Sequence, residues 1–293
     1  MKIKDKYKGI IFIICAAFCF ALMNLFVKLS GDLPTFEKAF FRNVVAIFFS
    51  GVVLVKNKTK ISIPKGAVSN VLLRAIFGTV GIFCNFYAIS NLPISDASML
   101  NKLSPFFAII FSIFLLKEKV KFYQIMSVVA AFIGACFILQ PGGAFTNFIP
   151  ALIGFISGAA AGFAYTNLRV ATKKGVQSPV IVFIFSVFSC LVSIPFIIAD
   201  YKPISWLQLV FLLLAGLSAT GGQFSITAAY KYAPAREISV YDYSQVLFAA
   251  IIGFFVLGEM PNWLSYIGYA IIIGAGVFMF LKSRKQVMQE NNL

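Results

Sequence analysis

The sequence predicts an all-helical (all-α) integral membrane protein whose ten transmembrane helices form two inverted five-helix repeats. Three observations predict this fold: an apolar composition, ten apolar stretches of spanning length, and a match between the two halves of the chain. Hydrophobic residues make up 60% of the 293 residues and charged residues 12%, against roughly 45–50% and about 25% in soluble domains. With a mean hydropathy of +0.91, the chain has too little charge to cover a water-facing surface.

A spanning helix needs about 20 mostly apolar residues, and the chain contains ten such stretches. In order they are residues 9–29, 36–55, 68–89, 97–116, 122–139, 148–170, 179–199, 206–229, 238–257 and 263–281. They are separated by the polar or helix-breaking segments GDLPT, KNKTKISIPK, SNLPISD, KEKVK, QPGGAFTN, ATKKGVQS, DYKPIS, YKYAPARE and GEMPN. These connections are too short to hold a soluble domain. The first stretch is too long for the core of a signal peptide, so we expect it to be retained.

Lysine and arginine residues are distributed unequally between the two faces of the predicted bundle. One face receives the cations of residues 2–8, 56–65, 117–121, 169–174, 231–236 and 282–285. The opposite face receives only Lys38 and Lys202. Because basic loops stay in the cytoplasm, we predict a multi-pass protein of the cell (plasma or inner) membrane with cytoplasmic N- and C-termini. This bias accounts for the net charge of +15 without a nucleic-acid partner.

The two halves of the chain match each other at polar and helix-breaking positions. At an offset of 141, Pro93 meets Pro234 and Glu118 meets Glu259, while Asn24 meets Asn167 at an offset of 143. We predict repeats at residues 1–146 and 147–293. Each holds five spans, an odd number, so the second repeat must cross the membrane in the opposite direction. Inverted repeats are typical of alternating-access transporters, with the site near the midplane where the repeats meet.

The charges agree with inversion. Matched positions lose positive charge where the second copy would face outside and gain it where the copy would face inside. The losses are Lys117, Lys119 and Lys121, which become Gly258, Met260 and Asn262, and the gains are Ser90 and Ser95, which become Lys231 and Arg236.

Three longer motifs carry a resemblance to a known family. They are FEKAFFRNVVAIFF, which contains Arg42, the hairpin YAISNLPISDASMLNKLSPFFAIIFSIFLLKEK, and its copy ending FAAIIGFFVLGE. In these features the whole chain resembles the drug/metabolite transporter (DMT) superfamily, specifically ten-helix members of the EamA-like family. The resemblance implies a ten-helix transporter of metabolites, and it indicates the fold better than the substrate. Lys102 departs from the family pattern, which has a small or apolar residue there, and is either a substrate determinant or the mark of another subfamily.

Three ionisable residues lie deep in the predicted spans, where charge costs at least a few kcal/mol and is usually functional. Arg42 suits either a structural contact with Glu37 or a loop, or the binding of an anion. Lys102 lies close to Pro105, which removes a backbone donor and can open the helix. Asp242 is either paired with a cation such as Arg236 or serves as a substrate or proton site.

Other polar residues of the spans suit either hydrogen bonds between helices or contact with a substrate. The full candidate substrate-binding set is Asn24, Arg42, Asn85, Tyr87, Asn101, Lys102, Tyr165, Asn167, Gln223, Tyr241, Asp242 and Gln245. Lys28 and Arg74 lie nearer to span ends, and we expect both to snorkel toward water. We expect spans 1 to 4 and 6 to 9 to line the cavity, with spans 5 and 10 as buttresses.

The absence of histidine excludes several chemistries: serine–histidine pairs, HExxH zinc sites and histidine-ligated haem. The five cysteines lie in apolar runs without CxxC spacing, so we expect buried thiols rather than disulfides or metal ligands. We predict no enzyme, no cofactor and no metal. Without a Walker loop to use ATP, transport must be facilitated, exchanged or coupled to an ion.

The predicted function is secondary transport of small polar metabolites, foremost amino acids or related zwitterions. Arg42 and Lys102 outnumber Asp242 among the deep charges, so a carboxylate or phosphate on the substrate is the natural partner. One alternative is a larger organic anion such as a vitamin or a nucleotide-like metabolite. A different class, a membrane-embedded enzyme or lipid flippase, is a further alternative. The expected partners are a small-molecule substrate, the lipid bilayer and a proton as candidate coupling ion, for a monomer or weak homodimer.

Overall fold

The computed structural model describes residues 3–117, 120–139, 145–232 and 239–290, and these residues form helices and no strand. The helices are α1 Ile3–Leu29, α2 Thr35–Lys56, α3 Val68–Asn91, α4 Ile94–Asn101, α5 Ser104–Leu116, α6 Phe122–Leu139, α7 Phe145–Lys173, α8 Ser178–Ala199, α9 Trp206–Tyr232, α10 Ser244–Leu257 and α11 Trp263–Glu290. Two 3-10 turns precede helices, Lys65–Ala67 before α3 and Ser239–Tyr243 before α10. Of the residues named from the sequence, Glu118, Lys119, Pro234 and Arg236 lie outside the described residues, as does the predicted start of the ninth span at residue 238.

Ten segments among the described residues are long and apolar enough to cross a membrane, which confirms the predicted fold class. Helices α4 and α5 together make the fourth span, Ile94–Leu116. The 3-10 turn and α10 together make the ninth, Val240–Leu257. The third span, Lys65–Asn91, joins the other 3-10 turn to α3, and the remaining spans are single helices.

Helix packing follows the internal repeat. Helix α1 packs on α9, and the matched pair, α7 on α3, packs in the same way. The α5–α7 contact is likewise matched by the α10–α1 contact. Helices α2 and α8 pack on each other, as do α6 and α11, and each of these pairs is its own counterpart. The two five-helix halves are therefore related by a pseudo-twofold axis.

The ends of α5 and α10 repeat one backbone geometry. Lys117 ends α5 at φ 51° and ψ 33°, and its match Gly258 ends α10 at φ 66° and ψ 19°. The N–H of Lys117 bonds the carbonyl of Ser112, and the N–H of Gly258 bonds that of Gly253, again at the offset of 141. The left-handed conformation is natural for glycine and costly for lysine. The repeat thus persists in the backbone where the residues have diverged.

Hydrogen bonds gather the loops at two ends of the bundle. At the α1–α2 end, Lys202 Nζ donates to the Asp32 carbonyl at 3.1 Å, and Lys38 is buried within the same end. At the α2–α3 end, Lys174 Nζ donates to the Gly66 carbonyl at 2.6 Å. Lys38 and Lys202, the two cations assigned to the less basic face, therefore share one end.

The cysteines differ from expectation. Cys190 is buried, Cys19 and Cys84 are half-buried, and Cys15 and Cys136 are exposed. The prediction that all five are buried is wrong. Apolar sequence is a poor guide to burial in a membrane helix, because lipid accepts apolar side chains as readily as the protein interior does.

Candidate functional site

An ion pair between Lys102 and Asp242 joins the two halves inside the membrane-spanning region. Lys102 Nζ donates to Asp242 Oδ2, and the two side chains are 13% and 23% exposed. The second oxygen, Asp242 Oδ1, is buried and has no hydrogen-bond partner among the described residues. Lys102 lies about 12 Å along its span, near the middle of a hydrocarbon layer about 30 Å thick. The cation that pairs with Asp242 is thus a deep residue of the other half.

The backbone departs from regular α-helix on both elements that carry this pair. Helix α4 ends at Asn101 and α5 begins at Ser104, with Pro105 in the first turn of α5. Pro105 has no N–H to offer the carbonyl one turn earlier, so the predicted local opening is confirmed. Asp242 lies in the 3-10 turn Ser239–Tyr243, which directly precedes α10. Interrupted helices at a repeat interface are the usual setting of a transporter's binding site.

Helix α7 lies directly against the break because part of its surface is glycine. A Cβ added to Gly158 would come within 2.5 Å of the Leu100 carbonyl oxygen. One residue earlier, the Ser157 hydroxyl accepts a hydrogen bond from Asn101 Nδ2 at 3.3 Å. Close contact with α7 therefore fixes the backbone that presents Lys102.

A second charged group lies among α2, α3 and α8, where Arg42 and Arg74 approach the ring of Phe185. The Cζ atom of Arg74 is 4.3 Å from the ring centroid, and that of Arg42 is 6.0 Å away. Arg42 Nη1 also donates to Asn43 Oδ1 at 2.7 Å. Among the described residues neither guanidinium forms a salt bridge, and the Nε of each is buried without a hydrogen-bond partner.

One alternative for Arg42, the contact with Glu37, and the expectation that Arg74 snorkels are both wrong. Glu37 accepts a hydrogen bond from the backbone N–H of Lys202 at 3.1 Å and does not pair with Arg42. Arg74 does not snorkel, because its Nη1 lies over Gly78, one turn deeper into the bundle, where a Cβ would collide with it. Gly78, four residues after Arg74, is the sequence feature that could have indicated this inward direction.

Asn24 and Asn167, matched residues of α1 and α7, bond to neighbouring helices. Asn24 Nδ2 donates to Ser98 Oγ at 2.9 Å, and Asn167 Oδ1 accepts from Asn70 Nδ2 at 3.0 Å. Both asparagines are fully buried. These contacts fit the helix-packing alternative for the two residues.

The remaining candidates divide by exposure. Asn85 and Gln245 are buried, and Asn85 Oδ1 has no partner among the described residues. The exposed candidates are Tyr87, Tyr165, Gln223 and Tyr241. The ring of Tyr165 lies 5.9 Å from the Cζ of Arg74, which places it beside the arginines rather than beside the Lys102–Asp242 pair.

A polar network at the α1–α2 end was not foreseen from the sequence. Lys28 Nζ lies 2.5 Å from Glu259 Oε1 and donates to the Leu92 carbonyl. Glu259 Oε2 accepts the N–H of Ile94 at 2.8 Å. The Lys28–Glu259 ion pair therefore links the ends of α1, α3, α4 and α10. The sequence motif places Glu259 at the end of the ninth span, but it does not indicate which residue the carboxylate contacts.

Close to this network lies a buried acid, Asp96, in the first turn of α4. The hydroxyl of Tyr269 on α11 donates to Asp96 Oδ1 at 2.5 Å and also contacts Ser95. This contact joins the tenth span to the fourth at the α1–α2 end.

An open groove of about 620 Å³ lies toward the α2–α3 end. It is lined by Tyr165, Leu168, Arg169, Thr172, Lys173 and Ser178. Tyr165 belongs both to this groove and to the contact with Arg74. The groove therefore has a basic wall and shares one residue, Tyr165, with the surroundings of Arg74.

Two matched five-helix halves, an interrupted helix and charges where the halves meet are typical of membrane transporters. Sequence comparison gives the same answer. The chain matches the EamA-like transporter family twice, over residues 7–140 and 148–281. The protein belongs to the EamA-like transporter family, as its motifs predicted.

Named relatives are transporters as well. The chain is 30% identical over 269 residues to the pseudopaline exporter CntI of Pseudomonas aeruginosa, covering 91% of this chain and 94% of that protein. It is 26% identical over 300 residues to the S-adenosylmethionine uptake transporter of Rickettsia prowazekii, covering 99% and 98%. Solute carrier family 35 member G1 of Homo sapiens is 26% identical over 283 residues, covering 92% and 78%. The chain is therefore a multi-pass membrane transporter of a small molecule and not an enzyme.

A solved crystal structure has the same fold. It superposes with a TM-score of 0.64 at 16% sequence identity, covering 95% of this chain and 99% of the other. At this identity the similarity concerns the fold alone.

Proposed function

We propose that this protein is a secondary transporter of amino acids or related zwitterions that works by alternating access. The observation that carries the proposal is the Lys102–Asp242 ion pair between the break in the fourth span and the 3-10 turn of the ninth. A zwitterion offers its ammonium group to Asp242 and its carboxylate to Lys102. Binding then replaces one internal ion pair with two pairs to the cargo, so no charge is left unpaired in a membrane interior where bare charge is costly.

Two further observations support this assignment. Asp242 Oδ1 is buried without a partner among the described residues, so it is available for a donor from the cargo or for a proton. One relative is named for the uptake of S-adenosylmethionine, a derivative of the amino acid methionine. The proposal includes a proton at Asp242 as coupling ion, a boundary between the repeats at residues 146 and 147, and cytoplasmic termini.

A larger organic anion is the second candidate cargo. It is favoured by Arg42 and Arg74, which form no salt bridge among the described residues. An anion without an ammonium group would use these arginines and leave the Lys102–Asp242 pair intact.

The experiment that tests the proposal removes the central pair without leaving a lone charge. The cargo is first found by a thermal-shift screen of amino acids and related zwitterions on the purified protein. Uptake of that cargo is then measured in proteoliposomes for the double variant Lys102→Met/Asp242→Asn. We expect normal membrane abundance and at least about a tenfold loss of transport, because each charged hydrogen bond contributes roughly 1.5–3 kcal/mol.

Two controls keep the result interpretable. Lys202→Met removes a lysine that contacts the Asp32 carbonyl at the α1–α2 end and should transport normally. The single variants should be less abundant than the double variant, because each leaves one buried charge without its partner. Wild-type transport by the double variant would refute a role of this pair in binding.

A further inference from the structure

We propose that Arg42, Arg74 and the ring of Phe185 form a second anion-binding subsite, for a carboxylate or phosphate group of the cargo beyond the group held by Lys102. This inference rests on the proposed function and adds the class of cargo: a zwitterion that carries a further acidic group. The residues lie on α2, α3 and α8, and Arg74 lies beside Tyr165, which also lines the open groove.

Arg42 and Arg74 carry positive charges that no carboxylate compensates among the described residues. Both guanidinium groups approach the same ring, at 4.3 and 6.0 Å, so their Cζ atoms lie within about 10 Å of each other. They are close enough to repel, and among the described residues neither has a carboxylate within salt-bridge distance. An aromatic face compensates a desolvated cation only in part. An anion between the two arginines removes the repulsion and supplies the missing partner.

Several buried polar atoms around the two arginines have no hydrogen-bond partner among the described residues. The Nε atoms of Arg42 and Arg74 are buried without partners among the described residues, as is the hydroxyl of Ser186, next to Phe185 on α8. Buried donors are normally satisfied, and an unsatisfied one calls for a specific explanation such as an absent ligand or water. Guanidinium groups match carboxylate and phosphate oxygens in pairs of parallel hydrogen bonds.

A glycine on α3 permits this arrangement of the arginine and the ring. Gly78 leaves space for the Arg74 guanidinium, and a Cβ there would also come within 2.9 Å of Phe185 Cε2. Arg74 is thereby directed inward from the nearer end of its helix. Arg169 and Lys173 line the same groove as Tyr165, so the surface next to Arg74 is basic and attracts anions.

The subsite is distinct from the Lys102–Asp242 pair. Helix α7 touches both, through Ser157 at the helix break and through Tyr165 beside Arg74. These two residues are eight positions apart, or about 12 Å along the helix. A cargo that spans both sites therefore needs a second acidic group at some distance from its amino-acid group.

Binding of small anions to the purified protein tests the subsite directly. Inorganic phosphate and succinate are titrated at constant ionic strength in a non-ionic detergent and followed by calorimetry. We expect saturable binding to the wild-type protein, and Arg42→Gln and Arg74→Gln each to weaken it at least about tenfold. Lys282→Gln, which removes an exposed cation stacked on Phe278, should bind as the wild type does. Equal binding by the arginine variants, or none by the wild-type protein, would overturn the proposal.

A second measurement needs no variant and so does not depend on the folding of the arginine variants. Phenylglyoxal modifies accessible arginines, and mass spectrometry reports each site. Phosphate and succinate should protect Arg42 and Arg74 and leave Arg284 unchanged. Unprotected arginines would contradict the subsite.

Two further arms distinguish this subsite from the central ion pair and from a lipid-binding site. The variant Lys102→Met/Asp242→Asn should still bind phosphate. Phosphate binding and zwitterion transport can therefore be lost independently, so a failure of the subsite proposal is distinguishable from a failure of the proposed function. Phosphatidylglycerol added to the micelles carries a similar anionic group. Protection by this lipid but not by soluble anions would assign the arginines to a lipid headgroup and overturn their role in cargo binding.

Discussion

Buried charges in this protein are compensated in two different ways. Lys102 and Asp242 neutralise each other across the two halves, so the empty site carries no net charge. Arg42 and Arg74 instead contact aromatic rings and, through Arg42, the Asn43 amide. Removing an ion from water costs several kcal/mol even after the protein relaxes. The arginines are therefore the residues whose environment improves most when an anion binds.

Depth in a span was enough to single out Arg42, Lys102 and Asp242 from the sequence. Their partners could not be found in that way. Lys102 and Asp242 are far apart in sequence, and their contact depends on how the two halves meet. The direction of Arg74 could not be predicted either, because it depends on Gly78 and on the ring of Phe185 on another helix.

At the scale of helices, the spans were predictable because length and hydropathy determine them. The interruption between α4 and α5 was also predictable, since Pro105 marks it. The 3-10 turn Ser239–Tyr243 was not, because the residue matched to Pro105 is Val246, which has no such effect on the backbone.

The glycine surface of α7 gives a prediction at this scale. Gly158→Ala should lower the unfolding temperature of the purified protein, because the new Cβ would lie within 2.5 Å of the Leu100 carbonyl oxygen, and overpacking of this kind costs about 1–3 kcal/mol. Gly274→Ala in α11 is the matched control, because a Cβ there meets nothing within 4 Å. It should be neutral or stabilising by up to about 1 kcal/mol. Equal stability of the two variants would show that α7 does not hold the break by close contact.

For the whole molecule, the two ends of the bundle differ. At the α1–α2 end, Glu259 links Lys28 to the N-terminus of α4. Toward the α2–α3 end, the groove beside Tyr165 is open. Under the proposed orientation the end linked by Glu259 faces the outside, and the groove lies at the cytoplasmic end. Alternating access then requires the contacts of Glu259 to separate.

Reporter fusions test the orientation. A fusion in the loop near Lys58 should report a cytoplasmic location, and one near Gly143 an external location, because the basic loops lie on the side of Lys58. A fusion near Lys202 should agree with the one near Gly143. Reversed signals at these three positions would contradict cytoplasmic termini.

Solute counterflow tests the central claim, secondary transport of amino-acid-type zwitterions, most directly. Proteoliposomes containing the purified protein are loaded with one unlabelled compound at a time and diluted into a trace of the same labelled compound, without ATP. The standard amino acids and their acidic derivatives form the panel. We expect at least one member to accumulate transiently inside, above protein-free liposomes, because a carrier exchanges its cargo across the membrane without an energy source. A folded protein that gives no counterflow with any member of the panel would contradict the assignment.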